Sequence, residues 1–375
     1  MYKFISFMAL AVVGIALPPM TVAESSTQST GKPLRVAIVG LVHGHVSGFL
    51  GPALKRSDIQ IVGIVEPDHQ LAHRYTNQFK LDPQLLYSDV EQMLTTVQPQ
   101  AVLVYTDTRD HRRVVEAAAR HRIPVMMEKP LSVSVEDALA IKRAADAAHI
   151  PVLVNYETTW YPSNTAVYHL VRDGALGDIR KVVVHDGHKG PKEINVEPEF
   201  LSWLTDPARN GAGALFDFGC YGADLMTWLM QGATPITVTA VTQQLKPEIY
   251  PHVDDEATVI LTYAKAQAIL QASWNWPFDR KDMEVYGETG QAITVRRDDL
   301  RVRRKGDNDN EERQQSAPAL TAPYNDSISY LIAVVSGEIK PTGLSALDTN
   351  VIVVRILDAA RESARTGRTI RLADR

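Results

Sequence analysis

Leu34 to Asp68 reads LRVAIVGLVHGHVSGFLGPALKRSDIQIVGIVEPD, and this stretch decides the fold. Leu34 to Val39 is a short apolar run that stops at Gly40, a helical stretch follows, and Ile59 to Val65 is a second apolar run ending on Glu66 and Pro67. Strand, glycine turn, helix, strand and acid is the order of a mononucleotide-binding β-α-β unit. A tight turn lets backbone N–H groups at a helix start approach a pyrophosphate, and a carboxylate at the second strand end accepts hydrogen bonds from an adenosine ribose. The glycine fingerprint itself is incomplete. Val42 and His45 stand where it asks for glycine and for glycine or alanine, so the reading rests on the whole unit, with Gly40, Val42, His43, His45 and Glu66 as candidate cofactor contacts. The alternative is an α/β unit that turns on Gly40 and ends a strand on an acid without binding a nucleotide. His43 and His45 have one residue between them and share no helical face, which argues against a simple pair of zinc ligands. Cap or surface histidines compete with a binding role, and no metal is expected.

Further strands are expected near 101, 123 and 151, separated by helical segments, and together they define a parallel sheet covered on both faces. Residues just past strand ends in such a sheet face the ligand crevice, which adds Thr106 and Asp107, with His111 opening the next helix as a cap or a contact. The strand from Ile123 to Met127 ends on Glu128-Lys129-Pro130. A lysine there can hold a substrate hydroxyl, and Glu128 can orient it or bind the cofactor ribose. Ser134-Val135-Glu136-Asp137 reads as a helix start with Ser134 as its cap.

From Tyr156 the texture changes. Tyr156, Trp160 and Tyr161 follow a strand end, where aromatics either stack on a sugar ring or pack a domain junction. The second half has strand-like pieces from Ile236 to Arg304 with little helix among them, which suggests an antiparallel or mixed sheet with one side covered by helices. Gly306 to Ala317 is polar without periodicity and is expected to be a mobile loop. Two helices are expected near Asn325–Ser336 and Leu344–Thr366. Gly211 to Asp224 is the second chemical cluster; Asp217 and Tyr221, four apart, share a face if both lie on one helix. They are then either a proton-handling pair or a cap aspartate with a core tyrosine.

The 375 residues suffice for two domains with their own cores. A net charge of −5 offers no basic field for nucleic acid. The single cysteine, Cys220, excludes an intrachain disulfide framework and a four-cysteine metal cluster. Met1 to Ala23 has a lysine, an apolar run from Phe4 to Leu17 and a small residue before Glu24, the pattern of a signal peptide. Export to a periplasm is the expectation, without stable membrane insertion after cleavage; an uncleaved anchor is the alternative. Residues 24–33 form a polar linker, 34–155 a dinucleotide-binding domain, and 156–375 a substrate and oligomerisation domain whose C-terminal helices return to the first. The fold class is therefore α/β, a Rossmann-type sheet followed by an α+β domain.

The Gly40 to Glu66 unit, the Glu128-Lys129-Pro130 triplet and the Gly213 to Asp224 segment resemble the Gfo/Idh/MocA family, named for glucose-fructose oxidoreductase and inositol dehydrogenase. The resemblance implies hydride transfer at a sugar or polyol carbinol, with Lys129 as catalytic lysine and Asp217 as active-site acid. It also implies a homodimer or homotetramer. Tyr221 stands where the family's histidine is expected, and it can serve as base if Lys129 stabilises its phenolate. On this reading His188 steadies a neighbouring substrate hydroxyl, and Glu66 favours NAD over NADP by opposing a 2′-phosphate. Two alternatives follow: an NAD-dependent glycosidase working by transient oxidation, elimination, hydration and re-reduction, and a non-catalytic sugar-binding protein.

Overall fold

The computed structural model describes residues 32–306 and 311–372. The expected signal peptide and most of the expected linker lie outside the described residues. From its start the chain alternates β1 (Leu34–Val39), α1 (His45–Ala53), β2 (Ile59–Val65), α2 (His69–Phe79), β3 (Leu86–Tyr87), α3 (Val90–Val97), β4 (Ala101–Val104), α4 (His111–Arg120), β5 (Val125–Glu128), α5 (Val135–Ala148) and β6 (Val152–Asn155). The strands pair in parallel in the order β3-β2-β1-β4-β5-β6. Their apolar runs are buried on both faces, as a parallel sheet under two helical layers requires. Side chains fix the helix starts: Asp68 accepts from the Gln70 and Leu71 amides, Asp89 from Gln92, and Ser134 from Asp137. The strand order reverses between β1 and β4. That opens a crevice at the carboxyl ends of these strands, where Gly40, Thr106 and Glu128 stand.

The second domain follows with α6 (Pro162–Arg172), β7 (Ile179–Gly187), α7 (Pro198–Leu204), α8 (Pro207–Asn210), α9 (Ala214–Asp217), α10 (Gly219–Leu229), β8 (Thr237–Gln243), β9 (Glu256–Thr262), β10 (Gln267–Ser273), β11 (Arg280–Gly287), β12 (Gly290–Thr294), β13 (Asp299–Arg304), β14 (Arg313–Ser316), α11 (Ser327–Val335), α12 (Leu347–Thr366) and β15 (Ile370–Arg371). These strands form one mixed sheet in the order β14-β13-β12-β11-β7-β10-β9-β8-β15, with β7 parallel to β10 and antiparallel to β11. Alternate residues such as Val182, Val184, Leu270, Met283 and Val285 are buried on the face covered by α10 and α12. Helix α11 sends Ile328, Leu331 and Val334 into the same apolar cluster as Val36, Ile38 and Leu50 of the first domain. Among the described residues no helix is long and apolar enough to cross a membrane.

Two expectations are corrected. The segment expected as a loop from Gly306 to Ala317 contains β14, which pairs antiparallel with β13 through Leu300 opposite Gln315 and Arg301 opposite Gln314. Its four residues are all exposed, so it is a polar edge strand held by backbone pairing, which hydropathy does not reveal. Asp217 and Tyr221 also lie on different helices: α9 ends at Asp217, and α10 begins at Gly219.

Candidate active site

The first wall of the site is the turn after β1. Gly40 has φ of 88°, and a Cβ there would lie 2.7 Å from the Thr106 amide nitrogen, so the backbone crossing of the two strand ends demands glycine. Glu66 follows β2, buried, and accepts the Leu41 amide at 2.8 Å and the Asp68 amide at 2.9 Å. Burial raises its pKa while these amides oppose the rise. Each oxygen takes one side-chain-to-backbone bond and keeps acceptor capacity for a ligand hydroxyl.

Helix α7 of the second domain packs on this turn. Trp203 donates its indole N–H to the Val42 carbonyl at 3.1 Å, and the His43 ring lies 4.8 Å from Phe200 and 5.4 Å from Trp203. Burial holds the His43 imidazole neutral by pushing its pKa well down. His45, the first residue of α1, has Nδ1 3.0 Å from Glu128 Oε2, and Asn155 donates to the other Glu128 oxygen at 3.1 Å. Burial alone would raise the Glu128 pKa; His45 first, with the Asn155 hydrogen bond, overrides it and brings it down to about 2. Asp107 caps Asp110 and accepts Arg209 of α8 at 2.6 Å, while the Thr106 hydroxyl donates to the Asp107 carbonyl.

These residues can be tested for fit to a dinucleotide. His111 Nδ1 lies 3.2 Å from the Leu131 carbonyl, so the ring proton is assigned to Nδ1 and Nε2 is an acceptor. That Nε2 and the Thr108 hydroxyl are both buried without a partner. Orphaned polar atoms at the carboxyl ends of the strands, a glycine that only a bare backbone can replace and an acid with spare acceptor capacity together fit a dinucleotide.

The second wall meets the first at Lys129. Its ammonium donates to the Asp217 carboxylate at 2.5 Å and to the Asp217 carbonyl at 2.9 Å, and the Trp274 indole donates to the other carboxylate oxygen at 3.0 Å. Burial pulls the lysine pKa down, but the Asp217 charge outweighs it and the net shift is upward. Asp217 shifts downward for the reciprocal reason, its burial outweighed by Lys129. Tyr221 makes no hydrogen bond to Lys129; its ring lies 5.2 Å from the Lys129 ammonium and 5.1 Å from that of Lys281. Burial and the surrounding carboxylates push the phenol well above its ordinary pKa, so the phenolate considered from the sequence is disfavoured by this environment. His188 accepts the Gly190 amide at Nδ1 over 2.9 Å and meets Phe218 edge-on at 4.8 Å, and burial lowers its pKa.

The aromatic trio separates. Tyr156 is fully buried, donates to Asn350 at 2.9 Å and packs edge-on to Tyr221 at 5.4 Å. Trp160 donates to Asn155 at 2.9 Å and packs against Tyr330 of α11. Both are therefore junction residues, because their polar tips are tied inside the protein. Tyr161 donates to Glu157, with Arg297 over its ring at 5.6 Å. Four residues were missed: Trp274, Lys281, Glu157 (paired with Lys281) and Asp186, a buried acid whose oxygens have no partner and whose pKa burial pushes well up. A tryptophan just past a strand end, in Trp274-Asn275-Trp276, was an available signal for the first.

A parallel dinucleotide-type sheet joined to a mixed-sheet domain, with a lysine from one reaching an acid of the other, defines an NAD(P)-binding oxidoreductase. Residues 34–156 match the oxidoreductase family's NAD-binding Rossmann fold and residues 165–293 match the GFO/IDH/MocA C-terminal domain, so the chain belongs to the Gfo/Idh/MocA family. It is 27% identical over 240 residues to D-apiose dehydrogenase of Paraburkholderia graminis, covering 64% of this chain and 60% of that relative. It is 22% identical over 307 residues to scyllo-inositol 2-dehydrogenase (NADP(+)) of Bacillus subtilis, covering 76% and 82%. Among solved structures, aldose-aldose oxidoreductase from Caulobacter crescentus complexed with glycerol aligns with a TM-score of 0.74 at 22% identity, over 90% of this chain and 99% of that one. An inositol dehydrogenase homolog complexed with NAD+ from Azotobacter vinelandii aligns with a TM-score of 0.77 at 19% identity, over 91% and 97%.

Proposed function

We propose that this protein is an NAD-dependent oxidoreductase acting on a secondary hydroxyl of a sugar or polyol. The observation that carries the reading is the Lys129 ammonium, which leaves the end of β5 and reaches Asp217 across the domain junction. The Gly40 turn, Glu66, Thr108 and His111 would hold the dinucleotide, which supplies hydride acceptance or donation when bound. Glu66, with Glu199 adding to the negative field around it, disfavours the extra phosphate of NADP. Lys129 then holds the substrate oxygen and passes it a proton when a carbonyl is reduced. In the opposite direction the amine must first lose a proton, which Asp217 resists. His188, with Nδ1 occupied by Gly190, presents Nε2–H as a donor to a second hydroxyl.

The test is Lys129→Ala. Turnover on a verified polyol should fall by about 10²–10⁴-fold, with NAD still bound in native mass spectrometry; unchanged turnover would overturn the role given to this lysine. The glycosidase reading draws on one feature, a Tyr221 phenol in place of the family's histidine, its ring 5.2 Å from the Lys129 ammonium. Aglycone release without accumulated NADH would favour it over net oxidation. Co-purified sugar without any dinucleotide would favour the non-catalytic reading. Export and a homodimer or homotetramer belong to the same proposal, the former supported by the sequence pattern of residues 1–23 and the latter by family resemblance.

A further inference from the structure

The glycine turn departs from its fingerprint at Val42 and His45, and it carries a second imidazole, His43, between them. His43 belongs to the turn itself, His45 opens α1 and Glu128 ends β5, and one ligand-type atom from each lies within 4.8 Å of the other two. The helical-face argument against a histidine pair does not apply, because His43 precedes the helix and the two rings approach to 4.6 Å. His45 Nδ1 and Glu128 Oε2 are already 3.0 Å apart. Two donors about 2.0–2.2 Å from one tetrahedral ion sit about 3.3 Å from each other.

Two further features separate this cluster from an ordinary surface ion pair. His43 is 1% exposed, and its Nε2 is buried without a hydrogen-bond partner. Glu128 is steadied from behind by the Asn155 amide at 3.1 Å, as a ligating carboxylate is by its outer-shell partner. We propose that His43, His45 and Glu128 form a site for one divalent transition-metal ion of the zinc class. Two imidazoles and one carboxylate leave at least one coordination position open. The His45 side chain, 47% exposed, has room to adjust as the set closes on an ion. Loading through His43 Nε2 shifts the ring proton to Nδ1 and gives up one long contact, the His45 amide at 3.2 Å. Glu128 directly precedes Lys129, so the ion would border the reacting region without replacing Lys129 or Asp217.

The test uses the full chain, stripped with a chelator and titrated with Co²⁺ as a spectroscopic probe and Zn²⁺ as competitor, with no dinucleotide added. The expected result is about one equivalent of Co²⁺ with visible d–d bands, displaced by Zn²⁺, and affinity at least about tenfold weaker in His45→Ala and Glu128→Gln. Absence of the bands in the unmodified chain, or unchanged affinity in both variants, would overturn the site. Should Glu128→Gln not fold, His45→Ala decides alone, since its side chain is half exposed. Neither NAD binding nor turnover is read, so failure here leaves the oxidoreductase reading intact.

Discussion

Removing the Asp217 carboxylate should unlock the junction between the two domains. Lys129 and Asp217 are 6% and 7% exposed, so their pairing takes place out of water. In Asp217→Ala the ammonium keeps only the carbonyl at 2.9 Å, and the Trp274 indole loses its acceptor. Taking one partner from a buried pair costs about 3–5 kcal/mol, and the orphaned indole falls within that figure because both losses arise at one cavity. Asp217→Asn keeps an acceptor but no charge, and a cost of about 1.5–3 kcal/mol is expected. Urea unfolding at pH 7 without added dinucleotide, at one protein concentration, measures both.

The pH dependence gives a second, independent reading of the pair. Asp217 titrates below its ordinary value, so its contribution is present above the usual carboxylate range and is lost as pH falls through the lowered value. Lys129 titrates above its ordinary value, so its contribution is present below the usual lysine range and is lost as pH rises through the raised value. The gap between wild type and Asp217→Asn should therefore be flat from about pH 5 to 9 and narrow below about pH 4. A stability for Asp217→Ala within about 0.5 kcal/mol of wild type, or a gap that persists undiminished at the lowest pH, would refute a closed buried pair.

Gly40→Ala should lose about 1–2 kcal/mol from its left-handed backbone alone, and more from the contact at 2.7 Å with Thr106, with NAD binding lost by isothermal titration. A variant that binds NAD as wild type does would contradict the turn's role. Glu66→Gln puts an amide N–H₂ opposite one of two backbone N–H donors, costing about 1–3 kcal/mol, and should narrow the NAD over NADP preference at least about tenfold in titrations with each. An unchanged ratio would remove Glu66 from cofactor selection.

The first domain was legible because its information is local. A strand buried on both faces reads as an unbroken apolar run, and the residue after it falls at the crevice by topology, which is how Gly40, Glu66, Thr106 and Glu128 came to be named. The second domain was legible as a list of strands but not as a sheet. β14 carries Arg313, Gln314, Gln315 and Ser316, all exposed, and β3 and β15 have two residues each, so hydropathy gives no sign of them. The break between α9 and α10 was hidden for a related reason: Gly211 to Asp224 is buried throughout, so no alternation of apolar and exposed faces marks where one helix ends.

Within the site, what could not be read was whatever depends on pairing between distant strands. Asp186 and Lys281 are neighbours because β7 and β11 run antiparallel in that register, and Trp274 reaches Asp217 because β10 ends beside α9. Lys281 lies over the Tyr221 ring, and with Glu157, Asp217 and Glu128 around the same phenol it changes what the substitution of tyrosine for histidine means. A phenol near two ammoniums would ordinarily be eased toward ionisation, but Lys129 is already neutralised by Asp217 and Lys281 by Glu157. What remains around the ring is burial and negative charge, and both keep the proton on the oxygen. On the proposed reading, proton exchange with a substrate then falls to Lys129, whose protonated form the Asp217 charge favours. A charged amine can give a proton to a nascent alkoxide at once, yet must be stripped before it can take one, so the pair that anchors the domains also biases the proposed chemistry toward reduction at neutral pH.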